Sequence, residues 1–157
     1  MPNNINTLNF SWIELNVIAG SARPSNYAEF EFIRDQGIKI IISLESRYWY
    51  DIYDQSLNYF KFYSIPVKDF APPSVQQVKS FWQIAQIYKD KNAPILVHCG
   101  AGCGRTGTFL ALWLLLRKEV KNASIAINQI RKLRPCSIES DSQGQFLRNF
   151  DINRILK

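Results

Sequence analysis

One histidine, three cysteines and seven glycines in 157 residues leave little room for several chemistries. An odd cysteine count without a secretory leader argues against a disulfide framework and for a reducing compartment. The N-terminus "MPNNINTLNF" is polar and uncharged, unlike a secretory signal. The longest apolar run, "FLALWLLL" at Phe109–Leu116, is too short to cross a bilayer and reads as a buried helix. No run of five or more basic residues appears, although the formal net charge is +6. That balance favours anionic partners without the footprint of a nucleic-acid binder. No repeat, low-complexity tract or linker marks a boundary. The expectation is a single cytoplasmic domain over residues 1–157, with no membrane span and a core drawn from 46% hydrophobic residues.

What is present alternates between two periods. "SWIELNVIAGS" reads as a strand with a turn at Gly20–Ser21. "PSNYAEFEFIRDQG" reads as a helix starting near Pro24 and stopping at Gly37, with Phe30, Ile33 and Arg34 at helical spacing. Ile38–Leu44 is a β-branched run, the pattern of a strand covered on both faces. "SRYWYDIYDQSLN" has no clean period and reads as an aromatic-rich loop or a short helical turn. "YFKFYSIPV" is another strand, ended by Pro66. Ser74 is placed to cap a helix of about four turns carrying Val75, Val78, Phe81, Trp82, Ala85 and Tyr88. "APILVHC" is a buried strand and Arg105–Val120 an apolar helix. Asn122–Leu133, closed by Pro135, and Asp141–Leu156 are the last helices. This order implies an α/β fold, a central, largely parallel sheet flanked by helices.

The stretch "VHCGAGCGRTGT", Val97–Thr108, holds the histidine, two cysteines and four of the glycines. It follows a buried strand and precedes a helix, the place where parallel sheets bind ligands. Glycines let successive N–H groups turn inward, and with a helix N-terminus they form a pocket for an anion such as phosphate. No Gly-Lys-Ser/Thr follows, so this is not a nucleoside-triphosphate loop. A zinc site is poorly supported, because His98, Cys99 and Cys103 lack a second ligand pair. A buried strand-end cysteine beside a Gly-rich turn would explain Cys99 but not Arg105 at a helix start. The better account is a nucleophile. Inward N–H groups, the helix start and a guanidinium all favour the Cys99 thiolate. The same groups would hold phosphoryl oxygens, with Arg105 binding two of them, while Cys99 attacks phosphorus.

"HCGAGCGRTG" resembles the His-Cys-x5-Arg-Thr/Ser signature of the cysteine-dependent protein tyrosine phosphatases. With "FSWIELNVIAGSARP", "IPVKDFAPPS" and "IRKLRPCSIES", nearly the whole chain is similar to the small dual-specificity phosphatases. The resemblance implies that fold and a phosphocysteine mechanism without cofactor or metal. It implies Cys99 as nucleophile, the backbone of Gly100, Ala101, Gly102, Cys103 and Gly104 with Arg105 as phosphate site, and Asp69 as general acid and base. Thr106 would hold a hydroxyl near the sulfur, and it also suits a helix cap. His98 would orient the loop, and Gln143 resembles a water-orienting glutamine, although glutamines at helix starts are common. Cys103, or Cys136 where similar sequences often carry glycine, is an expected trap for oxidised Cys99; Cys103 also suits a small residue in a tight turn.

Lysines commonly flank the nucleophile in phosphoinositide phosphatases of this scaffold, where Gly100 and Cys103 stand here. Triphosphatases acting on RNA carry Asn before the arginine, where this chain has Gly104. The expected partner is a phosphorylated protein or peptide, phosphotyrosine first and phosphoserine or phosphothreonine second. Lys68, Arg23, Arg131, Lys132 and Arg134 would steer acidic peptides. The alternatives are a phosphatase of a phosphoinositide or an RNA 5′ end, and a phosphopeptide-binding module. "RYWYDIY" fits either an aromatic wall of the pocket or a long loop packed on the body.

Overall fold

The computed structural model describes residues 5–46 and 58–156, so "RYWYDIY" lies outside the described residues. After a 3-10 turn at Ile5–Leu8 come β1 (Ser11–Glu14), β2 (Ile18–Ser21), α1 (Tyr27–Asp35), β3 (Ile40–Ser43) and β4 (Lys61–Ser64). Then follow α2 (Val75–Asp90), β5 (Ile95–His98), α3 (Gly104–Leu116), α4 (Ala123–Leu133), α5 (Asp141–Asn149) and α6 (Asn153–Leu156). The sheet runs β1-β2-β5-β3-β4, with β1 antiparallel to β2 and the other three pairs parallel. The expected α/β architecture is therefore the observed one.

Successive strand residues face opposite sides of a sheet, and here each side has its own core. Ile40, Ile42, Ile95 and Val97 face a large core shared with α2 and α3, whereas Ile41, Leu96 and Ala19 face a smaller one with Phe30 and Ile33 of α1. Helix α3 is buried along nearly its whole length, which is why its sequence is apolar all round rather than striped. It approaches the sheet closely at Gly20, where a Cβ would lie 2.7 Å from a Leu110 methyl. Local caps start the helices: Asn26, rather than Pro24, begins α1 by accepting from Glu29 N–H, and Ser74, the expected cap of α2, forms a reciprocal capping box with Gln77.

Three boundaries differ from expectation. The first segment is a hairpin rather than a single strand. Its turn falls at residues 15–17, where Asn16 adopts φ 62°, and Gly20–Ser21 continue β2. Helix α3 ends at Leu116 rather than Val120, because Lys118 turns left-handed (φ 58°) and its N–H bonds back to Leu115 O. The expected last helix is two. Phe150 is extended, and Asp151 Oδ1 accepts from Asn153 N–H to start α6 anew. No helix among the described residues is long and apolar enough to cross a membrane.

Candidate active site

Strands β2, β5 and β3 end level, Ser21 and Ser43 both pairing with His98. The loop of residues 99–104 leaves their carboxyl ends and enters α3. At its centre Gly102 has φ 75°, and a Cβ there would lie 2.5 Å from the Ser21–Ala22 backbone, so no other residue fits. The loop is held from outside: Arg23 N–H donates to Gly100 O at 3.0 Å, and Arg134 Nη2 donates to Gly102 O at 2.6 Å. The N–H groups of Gly100, Ala101, Gly102 and Cys103 meet no protein acceptor among the described residues. Such a row of open donors suits an anion.

Cys99 is 3% exposed, and Thr106 Oγ1 donates to its Sγ at 3.0 Å. The Arg105 guanidinium lies against the Val67 and Leu44 carbonyls and Asp69. Its Nη1 donates to Val67 O at 3.0 Å and Leu44 O at 3.4 Å, and its Nε lies 3.4 Å from Asp69 Oδ1 without an aligned hydrogen bond. Asp69 is exposed on its solvent side, and its Oδ1 also accepts the Phe70 N–H at 3.0 Å. Cys99, Thr106, Arg105 and Asp69 are thus linked through contacts of one loop and its neighbour. Gln143 is fully buried: its Oε1 accepts from Ser140 N–H and its Nε2 donates to Ala71 O at 3.4 Å. Both ends of that amide are engaged in capping α5 and holding the Asp69 loop.

His98 lies fully buried, its Nδ1 donating to Cys99 O at 3.4 Å. Burial, with smaller contributions from the Arg23 and Arg105 charges, lowers its pKa from 6.5 to about 4, against the raising effect of the Cys99 carbonyl. The imidazole is therefore neutral in the folded protein and gains a proton on unfolding below pH 6.5. Because the folded pKa is the depressed one for a base, stability is fully present above 6.5 and lost as pH falls toward 4. The loss from this group amounts to about 3 kcal/mol. Urea midpoints measured from pH 7.5 to 4 should show this slope, and His98→Asn should flatten it. An unchanged slope in the variant would assign the acid sensitivity to carboxylates instead.

Arg134, expected at the rim to steer peptides, is not at the surface. Arg134 is fully buried behind the loop, donating to the carbonyls of Asn9, Gly20 and Gly102 and to Ser11 Oγ. Burial lowers its pKa to about 10, so it stays charged near neutral pH. Arg131 is likewise engaged, its guanidinium donating to Ser137 O and Ile138 O. The cysteine reading also needs correction. Cys103 and Cys136 form a disulfide with each other, and Cys99 is the free cysteine. Neither is left to trap Cys99, and the odd count did not preclude a bridge. Two residues the reading missed also touch the site. Glu139 Oε1 accepts from Gly104 N–H at 2.9 Å, and Glu45 pairs with Arg23 at 3.6 Å. The only sequence signal near Glu139 was the Ser140–Gln143 capping box that follows it.

A cavity of about 320 Å³ opens beside the loop, walled by Arg23, Glu45, Ser46, Val67, Lys68, Asp69 and Arg105. Cys99 is not in that wall, which includes both Arg105 and Asp69. Among the described residues no group of three or more His, Cys, Asp or Glu side chains is placed to hold a metal ion.

Comparison with known proteins bears on the family and the fold. An uncharacterized protein of Methanocaldococcus jannaschii is 27% identical over 128 residues, 80% of this chain and 78% of its own. The human receptor-type tyrosine-protein phosphatase-like N is 32% identical over 112 residues, 66% of this chain but only 11% of that much longer protein. The fold is shared with P. aeruginosa TpbA in complex with pTyr (TM-score 0.80, 16% identity, 99% of this chain and 91% of that one). It is shared also with PTPMT1 in complex with PI(5)P (0.78, 20%, 94% and 96%). The core catalytic domain of the S. cerevisiae PP-IP phosphatase SIW14 is a further match (0.72, 23%, 94% and 90%). The family model "Swiss Army Knife protein, DSP-PTPase phosphatase domain" matches residues 7–147. With a model of that extent covering both the loop and the sheet that presents it, the chain belongs to the DSP-PTPase family of phosphatases.

Proposed function

We propose that this phosphatase hydrolyses phosphotyrosine in proteins, with phosphoserine and phosphothreonine as secondary substrates, through a phosphocysteine on Cys99. The observation that carries the reading is the Thr106–Cys99–Arg105–Asp69 arrangement around a loop whose N–H groups are open. Cys99 Sγ attacks phosphorus while the bond to the leaving oxygen breaks, and Asp69 donates a proton to that oxygen. Water then attacks the phosphocysteine, Asp69 takes its proton, and the thiolate departs with phosphate released. Thr106 Oγ1–H stabilises the sulfur as it leaves, and the loop amides with Arg105 hold the equatorial oxygens. His98 fixes the strand end through the Cys99 carbonyl, and Gln143 supports the Asp69 loop.

The neutral positions Gly100 and Cys103 suit a phosphomonoester on a peptide. A second reading, a non-protein phosphate ester, draws on Arg23 and Lys68, which share the cavity wall with Arg105. A panel decides between them: a phosphotyrosine peptide, a phosphothreonine peptide, PI(5)P, an inositol pyrophosphate and a 5′-triphosphate RNA, each with EDTA present. The phosphotyrosine peptide should show the highest kcat/KM, with activity undiminished by the chelator. A phosphoinositide or inositol pyrophosphate at the head of the ranking would replace the protein reading with the second. Activity lost in EDTA and restored by a divalent ion would overturn the metal-free chemistry.

A further inference from the structure

Gly104 N–H is one of the backbone donors assigned to substrate phosphate, yet it already has an anionic acceptor in Glu139 Oε1. Several features fix the backbone that carries that carboxylate. Ile138, the residue before it, sits at φ 60°. This conformation crowds a β-branched side chain and is strained. Strain of this kind persists only where surrounding contacts impose it, and here they do. Ile138 N–H reaches Cys103 O at 3.4 Å, and Arg131 Nη2 donates to Ile138 O at 2.9 Å. The Cys103–Cys136 disulfide ties the same segment to the loop. The slot itself exists because residue 104 has no side chain: a Cβ there would lie 2.9 Å from Glu139 Oε1.

We infer that Glu139 is an internal competitor of phosphate, its carboxylate occupying the Gly104 amide at rest and yielding it when a phosphoryl group enters. The inference rests on reading the Cys99–Arg105 loop as the phosphate cradle. One N–H cannot serve two anions, and a carboxylate beside a phosphate dianion is repelled. Glu139 therefore weakens the binding of substrate phosphate and product phosphate alike. The gain is product release: inorganic phosphate leaves a cradle that has its own anion ready to refill it. Glu139 is a positioning residue that sets affinity and takes no part in proton transfer.

The test compares inorganic phosphate as a competitive inhibitor of aryl-phosphate hydrolysis in the unmodified protein and in Glu139→Gln. Glutamine keeps a neutral oxygen for the Gly104 N–H, so the loop retains its contact while the competing charge is removed. The phosphate inhibition constant and KM should both fall about tenfold in the variant, with kcat unchanged or lower. A merely structural Glu139 predicts the opposite, weaker phosphate binding with kcat and KM worsening together, and that result or an unchanged constant overturns the inference. A second measurement needs no substitution. On saturation with inorganic phosphate, the Glu139 side-chain carboxyl carbon resonance should shift while that of Glu119 stays in place; a stationary Glu139 signal also overturns it. If the unmodified protein neither hydrolyses aryl phosphate nor binds phosphate, the cradle reading itself fails and takes this inference with it. Activity with an unaltered Glu139→Gln constant removes only the inference.

Discussion

Cys99→Ser should abolish phosphate release, lowering kcat by a factor of about 10⁶. The size follows from the surroundings of the side chain. A serine hydroxyl must lose a proton to attack, and nothing at this position can take it. His98, the only histidine, directs its Nδ1 at the Cys99 carbonyl rather than at the side chain. Thr106 Oγ1 is a donor to this position, and a donor stabilises a thiolate but cannot act as a base. The variant is expected to fold, since the change replaces sulfur by a smaller oxygen still within reach of Thr106. It should also bind inorganic phosphate, because the loop amides and Arg105 are untouched. Calorimetric titration with phosphate, beside turnover of an aryl phosphate, separates the two effects. Bound phosphate with no turnover is the expected pair of results; residual turnover above 1% of the original would remove Cys99 from the nucleophile's place.

Arg105→Lys should cost about 10³-fold in kcat/KM, although the charge is conserved. A guanidinium can anchor itself and still present N–H groups to a ligand, and Arg105 is already anchored. Nη1 is held by the Val67 and Leu44 carbonyls, and Nε faces Asp69. A lysine ammonium has no fork, so serving those carbonyls leaves nothing planar for two phosphoryl oxygens. It would also leave Asp69 without its partner, so the defect should exceed that of a lost hydrogen bond alone. Steady-state kinetics on the phosphotyrosine peptide give the answer. A loss smaller than tenfold would show that the loop amides, rather than the fork, carry the phosphate.

What could be read from the sequence was whatever is local. Within the β-branched run at Ile38–Leu44, Ile40–Ser43 form a strand buried on both faces, and Ser74 with Gln77 started α2 because a capping box needs only its own four residues. The loop was legible for the same reason, its glycines, cysteine and arginine being contiguous. Arg134 was misjudged because its partners Asn9, Gly20 and Gly102 are far from it in the chain. An arginine reads as a surface residue until the fold surrounds it with carbonyls. The Cys103–Cys136 bridge and the Glu139–Gly104 contact both depend on where residues 136–140 return to the loop, and no local pattern encodes that return. The misplaced hairpin turn has a different cause. Glycine is the usual marker of a turn, but Gly20 answers to the close passage of α3 instead.

The contacts of Phe70 and Ala71 tie the Asp69 loop to the start of α5. Ser140 and Ser142 donate to Phe70 O at 2.7 and 3.2 Å, and Gln143 donates to Ala71 O. They fasten the segment just after Asp69 to the start of α5. Taken together, these largely exposed bonds are worth about 2 kcal/mol. At that value roughly one molecule in thirty has the segment detached at any moment. A segment already held there would divert little binding free energy into closing a lid. Turnover in such an enzyme is set by chemistry or by departure of phosphate, and viscosity should slow it only to the extent that departure matters.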